Sequence, residues 1–350
     1  MSGPGPEGGL AGRLREAIAA GGPMPFREFM RRALYEPAEG YYARGQARQG
    51  RAGDYVTSAS VGAMFGRCLA AAAAARWQRM GRPDDFAIVE QGASDGRVMA
   101  DLLEALPPDL AAAARPVLVE PSPGLEAAQR ERLRAWPRAE WAASVESLSP
   151  FRGIHFSNEL IDAFPVDRVR CVAGEWRRLD VGWSGRFVEV PGPRAEAAPP
   201  APALEGYITE VRSGDAPWLR GVLGKLVAGW VIAFDYGLAR ADYYGPERPR
   251  GTLRAYRGQR PCDDPLADPG AQDLTAHVEW DGLAEAALAA GAAVEALEPQ
   301  GRFLTREMAG ALGREGEAWS PSMRRQFAAL THPGYFGSAF QVFAVRKGVE

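Results

Sequence analysis

The stretch FAIVEQGASDGRVMADLLEAL, residues 86–106, decides the fold. Phe86 to Val89 is an apolar run with no polar alternation, and the segment stops at Gly92. That pattern predicts a parallel strand covered on both faces. A helix is expected from about 95 to 106, so the segment reads as strand, tight turn, helix. Glycines at 92 and 96 let the backbone turn sharply and come close to a ligand. The start of the following helix offers free N–H groups and a positive dipole end, where an anion can sit.

The same alternation continues outward. PVLVEPS (116–122) predicts a second strand, and residues 125–136 a second helix. Further strands are expected near 154–157 and 231–235, giving a doubly wound α/β sheet. AAVEALEPQ and FQVFAVRK are expected to close it as an antiparallel hairpin at the sheet edge. Upstream, helices are expected over 10–20, over 25–37 and as one long helix over 60–80 capped by Ser60. Residues 1–9 are Gly/Pro-rich and expected to be disordered. Between 171 and 190 short strands joined by Gly turns interrupt the alternation, followed by a Pro/Ala linker over 191–202. Residues 237–272 read as a long loop, and 274–290 as helix.

Composition narrows the class. The 350 residues carry 41 Lys+Arg and 44 Asp+Glu, a net charge of −3, which argues against a nucleic-acid partner. No apolar run reaches the length of a membrane span, and MSGPGPEGGLAGRLREAI lacks an apolar signal-peptide core. A cytoplasmic chain without a membrane partner is therefore expected. Cys68, Cys171 and Cys262 are scattered and form no CxxC pair, as are His155, His277 and His332, so no metal site is expected.

Three places carry chemistry. A dinucleotide fingerprint needs GxGxxG, but here Ala93 and Ser94 separate Gly92 from Asp95 and Gly96. The shorter turn suits S-adenosylmethionine better than a pyrophosphate. Glu120 closes the second strand, where a carboxylate accepts from two ribose hydroxyls. In SNELIDAFPVDRV, Asn158, Glu159 and Asp162 follow a strand directly, in the crevice where open α/β sheets bind ligands. A helical turn there would set both carboxylates on one side; the plainer reading is an N-cap by Asn158 beside two solvated acids. GDYVTS (53–58), DYG (235–237), GTLRAY with Arg254 and Tyr256, and DLTAHV with Asp273 and His277 are further loop candidates.

Taken in order, FMRRALYEPAEGYY, GDYVTS, MFG, VEQGASDG, VLVEPSPGL, SNELIDAFPVDRV, FDYG, GTLRAY and PGAQDLTAHVEW resemble the MidA-like S-adenosylmethionine-dependent methyltransferases. The resemblance runs from about Pro25 to Lys347. Mitochondrial members of that family are protein arginine methyltransferases that help assemble respiratory complex I. It implies a class I methyltransferase sheet of seven strands, an N-terminal helical extension (25–81) over the cofactor site and an inserted substrate-facing region (166–227). The core would be 82–165 and 228–350. By position, Gly92 and Gly96 would form the cofactor turn with Glu90 behind it, and Glu120 would take the ribose. Gly53, Asp54, Thr57 and Ser58 would line the site. Asn158 and Glu159 would stand beside the methyl group, Asp162 next to them, with Arg254, Tyr256, Asp273 and His277 facing the substrate. Three positions depart from the family pattern: Ser94 replaces the middle glycine of the turn, Ser60 a glutamate, and Gln259 a histidine.

The function that follows is S-adenosylmethionine-dependent methyl transfer, with a protein arginine favoured as acceptor. Methylation of a small-molecule oxygen, and a non-catalytic assembly factor that keeps the cofactor fold, stay open, as does a homodimer. A nicotinamide oxidoreductase is disfavoured by the missing third glycine.

Overall fold

A computed structural model describes residues 9–43, 58–258, 260–312 and 319–350. Numbering only the main sheet, the strands are β1 (Phe86–Gln91), β2 (Ala114–Val119), β3 (Glu140–Ala142), β4 (Phe151–Asn158), β5 (Leu226–Asp235), β6 (Ala293–Pro299) and β7 (Gln341–Lys347). Their order across the sheet is β6-β7-β5-β4-β1-β2-β3. The first five in sequence run parallel; β7 inserts antiparallel between β5 and β6. This is the α/β class I methyltransferase sheet. The strand order reverses between β1 and β4, and both candidate motifs lie at carboxyl ends on the two sides of that reversal.

Among the described residues nine longer helices organise the rest: α1 (Leu10–Gly21), α2 (Phe26–Tyr35), α3 (Met64–Arg79), α4 (Arg97–Glu104), α5 (Pro123–Arg132), α6 (Asp215–Lys225), α7 (Trp280–Ala289), α8 (Gln300–Leu312) and α9 (Pro321–Thr331). One face of the sheet is closed by α3, α4 and α8 around Phe65, Met99, Leu102, Trp230, Phe234 and Phe303. The other is closed by α6 and α7 around Leu219, Val222, Trp280 and Leu283. The β1 sequence FAIV is buried throughout, as a strand covered on both sides must be.

Between β4 and α6 the chain builds a second sheet from Asp167–Val172, Glu175–Trp183, Phe187–Arg194 and Ile208–Val211. Met24–Pro25 joins it by pairing with Val181 and Asp180. Helices α1 and α2 pack here, with Phe26, Phe29 and Met30 in one cluster with Val166, Val181 and Phe187.

Several local expectations are corrected. The helix expected over 60–80 is broken: Ser58–Val61 is a short 3-10 turn, Gly62 takes φ +130°, and α3 starts at Met64 with Ala63, not Ser60, at its N-cap position. The supposed linker after 191 is still strand as far as Arg194. Its prolines are tolerated because, among the described residues, this strand has a partner on one side only. The long loop after 237 contains a helical turn, Arg240–Tyr243, and a hairpin, Arg254–Arg257 with Arg260–Cys262. Residues 273–279 form two short strands, and α7 begins only at Trp280. Leu274, Ala276, Val278 and Trp280 alternate buried with less buried neighbours, which is a strand period, not a helical one.

Candidate active site

The cofactor turn is built by backbone conformation. Gly92 (φ +77°), Ser94 (φ +49°) and Gly96 (φ +78°) all adopt left-handed conformations within five residues. Glycine does this freely, whereas Ser94 costs about 1–2 kcal/mol and persists only because its surroundings hold it. The holder is Gln129 of α5, fully buried, whose Nε2 donates to the Ser94 carbonyl at 2.8 Å. A Cβ on Gly96 would meet Gln129 Cγ at 3.2 Å, so packing against this side chain, as well as φ, favours glycine here. Gly92 faces Leu160. The helix start is no open anion site either. Asp95 Oδ1 accepts from Arg97 N at 3.1 Å, and Arg132 Nη2 donates to Asp95 Oδ2 at 2.7 Å.

Glu120 follows β2 directly and is 5% exposed, not a surface acid. Its Oε1 accepts from Ser122 N at 2.8 Å and its Oε2 from Gln129 Nε2 at 3.0 Å. Gln129 Oε1 in turn accepts from Trp141 Nε1 at 3.0 Å. One side chain thus ties the turn after β1 to the acid after β2. Glu90, one residue before the end of β1, is buried with Oε2 unpartnered. Burial, reinforced by Asp95, pushes its carboxyl up to about 8.

The second motif makes no helix. β4 ends at Asn158, and Glu159 takes a left-handed φ of +51° while its N donates to Phe234 O at 2.9 Å. Asn158 does not cap anything: its Nδ2 donates to Glu159 Oε1 at 2.9 Å, and its buried Oδ1 has no partner. The backbone of Ser58 also bonds the Glu159 carboxylate. What fixes the turn is Asp235, wholly buried at the end of β5. Its Oδ2 accepts from Ile161 N (2.8 Å) and Asp162 N (3.2 Å), its Oδ1 from Tyr236 N (2.8 Å).

Glu159 and Asp162 share one turn, and Asp235 and Asp273 come from two further segments; the four acids feel one another. Glu159 keeps some exposed surface, yet desolvation and then Asp162 push its carboxyl up to about 8. Desolvation, then Asp235 and Asp273, raises Asp162 well above the ordinary range. Asp235 is raised to about 7, again first by desolvation. Three N–H donors favour the charged form of Asp235 and oppose that rise. Tyrosines wall the site. Tyr42 OH donates to Asp273 Oδ1 at 2.9 Å, Tyr35 OH to Ala163 O at 2.9 Å, and their rings stack 5.4 Å apart. Tyr236 stacks on His277 and lies against Phe340. Desolvation, then Arg254, holds the His277 ring down at about 4, so it is neutral.

Of the residues singled out in the sequence, Ser58, Asn158, Glu159, Asp162, Asp273 and His277 are brought to this end of the sheet. Tyr256 is half-buried within electrostatic reach of Tyr236. Arg254 is exposed, and its Nη1 donates to the Leu253 carbonyl. Gly53, Asp54, Thr57 and Gln259 lie outside the described residues. Gln129, Tyr35, Tyr42 and Arg212 were not foreseen; the tyrosines stood inside quoted motifs, while the other two carry no local signal.

A family model for S-adenosyl-L-methionine-dependent methyltransferases matches residues 68–297. The chain belongs to this family. It is an S-adenosylmethionine-dependent methyltransferase. A superfamily protein from Burkholderia thailandensis, solved bound to S-adenosyl-homocysteine, superposes with a TM-score of 0.86 at 31% identity, over 97% of this chain and 92% of that one. A native structure from the same organism gives 0.84 at 31% over the same shares. A Drosophila melanogaster protein named mitochondrial protein arginine methyltransferase NDUFAF7 homolog is 28% identical over 98% of this chain and 86% of its own. The Mus musculus protein arginine methyltransferase NDUFAF7, mitochondrial, is 26% identical over 95% and 83%. The donor set suits this cofactor. Glu120, Glu90 Oε2 and Asn158 Oδ1 are buried acceptors, two of them orphaned. S-adenosylmethionine brings an ammonium and two ribose hydroxyls, all donors. Among the described residues, no group of three or more metal-ligating side chains is gathered, and no helix is long and apolar enough to cross a membrane.

Proposed function

We propose that this methyltransferase methylates a protein arginine, with Glu159 and Asp162 receiving the guanidinium. The observation that carries the reading is the gathering of Glu159, Asp162 and Asp273 within a tyrosine-lined end of the sheet. A planar cation with several N–H donors complements such a site. The relatives named as arginine methyltransferases support the same acceptor.

In this reading Glu120 takes the ribose hydroxyls, Gly92, Ser94 and Gly96 shape the turn beneath the cofactor, and Glu90 and Asn158 supply acceptors to its polar tail. Ser58 lines the same site, with Gly53, Asp54 and Thr57 as its proposed neighbours. S-adenosylmethionine, when bound, supplies a methyl group on a sulfonium sulfur. The chain's residues then do three things. Asp235 fixes the 159–162 turn, so both carboxylates keep their places. Glu159 and Asp162 hold the guanidinium and aim one nitrogen at the methyl. As the N–C bond forms and the S–C bond breaks, one N–H proton leaves the nitrogen for the Glu159 carboxylate. A carboxyl raised to about 8 is well matched to that task near neutral pH. His277, held near 4, is a poor base, which counts against an oxygen acceptor activated by that ring. A cytoplasmic setting goes with this reading, since Cys68, Cys171 and Cys262 are all unpaired.

The test is tritiated-methyl transfer to a Gly-Arg-Gly-containing peptide and to host lysate protein, followed by acid hydrolysis and amino-acid analysis. Label eluting as methylarginine supports the proposal. Label lost as a volatile alcohol on mild base treatment shows a carboxyl ester and overturns it.

A further inference from the structure

The inserted sheet ends in ITEVR, residues 208–212, and two of its charged side chains are buried. Neither reaches solvent or faces a free cavity; each is spent on the backbone of a segment of the acceptor site. Glu210 Oε2 accepts from Thr252 N at 2.7 Å and from Thr252 Oγ1 at 3.1 Å. The Thr252 hydroxyl oxygen in turn accepts from His277 N at 3.1 Å. A Cβ on the preceding Gly251 would lie 2.4 Å from Glu210, so the loop is seated on the carboxylate. Arg212, two residues on, donates from Nη1 to Ala276 O at 3.0 Å and from Nη2 to Ile161 O at 2.5 Å. Its Nε is held by Asp215 Oδ2 at the first turn of α6. Ala276 N donates to Asp162 O at 2.9 Å, which closes the circuit between the two clamped segments.

We infer that Glu210 and Arg212 are positioning residues for methyl transfer, and that the last strand of the inserted sheet sets the acceptor half of the site independently of the cofactor half. A purely structural pair of buried charges would be expected to neutralise one another. These two do not: Glu210 faces Arg168, with Nε 3.6 Å from Oε1, and Arg212 faces Asp215. Each then uses its remaining bonding capacity on turns that carry acceptor-facing residues, 159–162, 252–256 and 276–277. None of those bonds touches residues 90–96 or 120–129. The guanidinium of Arg212 also offsets the mutual repulsion of Asp162 and Asp235, which face Asp273, Glu159 and the hydroxyls of Tyr35 and Tyr236 as well.

The inference rests on the acceptor reading of Glu159 and Asp162, and the test separates the two. Arg212→Met, Arg212→Lys, Glu210→Leu and Glu210→Gln are compared with Glu159→Gln in three measurements. These are S-adenosyl-homocysteine affinity by calorimetry, single-turnover methyl transfer to the Gly-Arg-Gly peptide, and amide hydrogen exchange. The expected result is homocysteine-product affinity within about three-fold of wild type throughout. Transfer falls ten-fold or more in Arg212→Met and Glu210→Leu and partly recovers in Arg212→Lys and Glu210→Gln. Exchange speeds up at 161–162, 252 and 276–277 only. Affinity falling in step with transfer, or exchange speeding up across the whole main sheet, overturns the inference. So does unchanged exchange at the clamped amides. If Glu159→Gln transfers at the wild-type rate while the local exchange changes appear, the acceptor reading fails and the clamp stands.

Discussion

Gln129 links two strand ends, and its replacement by leucine tests whether that link shapes the cofactor site. The side chain is fully buried and makes three bonds: to Ser94 O, to Glu120 Oε2 and from Trp141 Nε1. The bond to the carboxylate is worth about 1.5–3 kcal/mol and each neutral bond about 1 kcal/mol. Leucine has similar bulk and returns part of this as apolar burial, so a net stability loss of about 2–3 kcal/mol is expected. Affinity should respond separately. Without Gln129 the Ser94 carbonyl loses the donor that holds its left-handed φ of +49°, and Glu120 loses one of its two donors, keeping Ser122 N. Re-ordering both on binding should weaken S-adenosyl-homocysteine by about 1–2 kcal/mol, roughly five- to thirty-fold. Urea unfolding gives the first number and titration calorimetry, at a temperature where the variant is folded, gives the second. A variant that loses stability but binds with wild-type affinity would refute the reasoning and reduce Gln129 to packing.

Glu120→Ala should weaken S-adenosyl-homocysteine binding by at least about 1.5 kcal/mol, read by calorimetry; unchanged affinity rules out the ribose role. Gly96→Val should lose both stability and binding, because φ +78° disfavours a β-branched residue and its Cβ would press on Gln129; a thermal melt and the same titration check this. Glu159→Gln should leave cofactor affinity nearly intact and slow single-turnover transfer by about 100-fold or more. The pH profile gives its sign: a carboxyl raised to about 8 is mostly protonated at neutral pH. kcat/KM should therefore climb through pH 7 and level off above about 8, and Glu159→Gln should flatten that limb; a wild-type profile flat from pH 6 to 9 would exclude Glu159 as the proton acceptor.

What the sequence made legible was what it writes locally. A strand buried on both faces leaves an unbroken apolar run, so β1, β2 and β5 stand out; Glu120 after β2 and the Asn158–Asp162 group at the end of β4 are found by position alone. The turn at 92–96 was legible for the same reason, although its physical cause was not. The glycine at 96 answers to Gln129, 33 residues away in another helix, and the helix start it precedes is filled by Asp95. Misread elements share a feature: their geometry is set from afar. Gly62 takes its φ of +130° beside Gln326, whose Oε1 accepts from Met64 N, and no helical periodicity over 60–80 could reveal that break. The segment 274–280 was legible in principle, since its apolar residues alternate, but the helix that follows masked the change of period.

The two halves of the site differ in the same way, and the difference bears on what can vary. The proposed cofactor half is held by α5 and the turns after β1 and β2 of the main sheet, so its geometry travels with the fold. The proposed acceptor half adds to the 159–162 turn and the end of β5 the 35–42 segment, the inserted strand at 208–212, and the 252–256 and 273–277 segments. Its four acids are tolerable together only because Asp235 is saturated by three backbone donors and Arg212 sits beside them. A relative that kept GASDG and VEPS but lost the charge at 212 or the Tyr42–Asp273 bond would still bind the cofactor. Its carboxylates would then hold their protons more tightly still, and the site would take a cation less readily. Acceptor identity in this fold should therefore be sought in the inserted segments, where electrostatic balance is set, and not in the turn that marks the family.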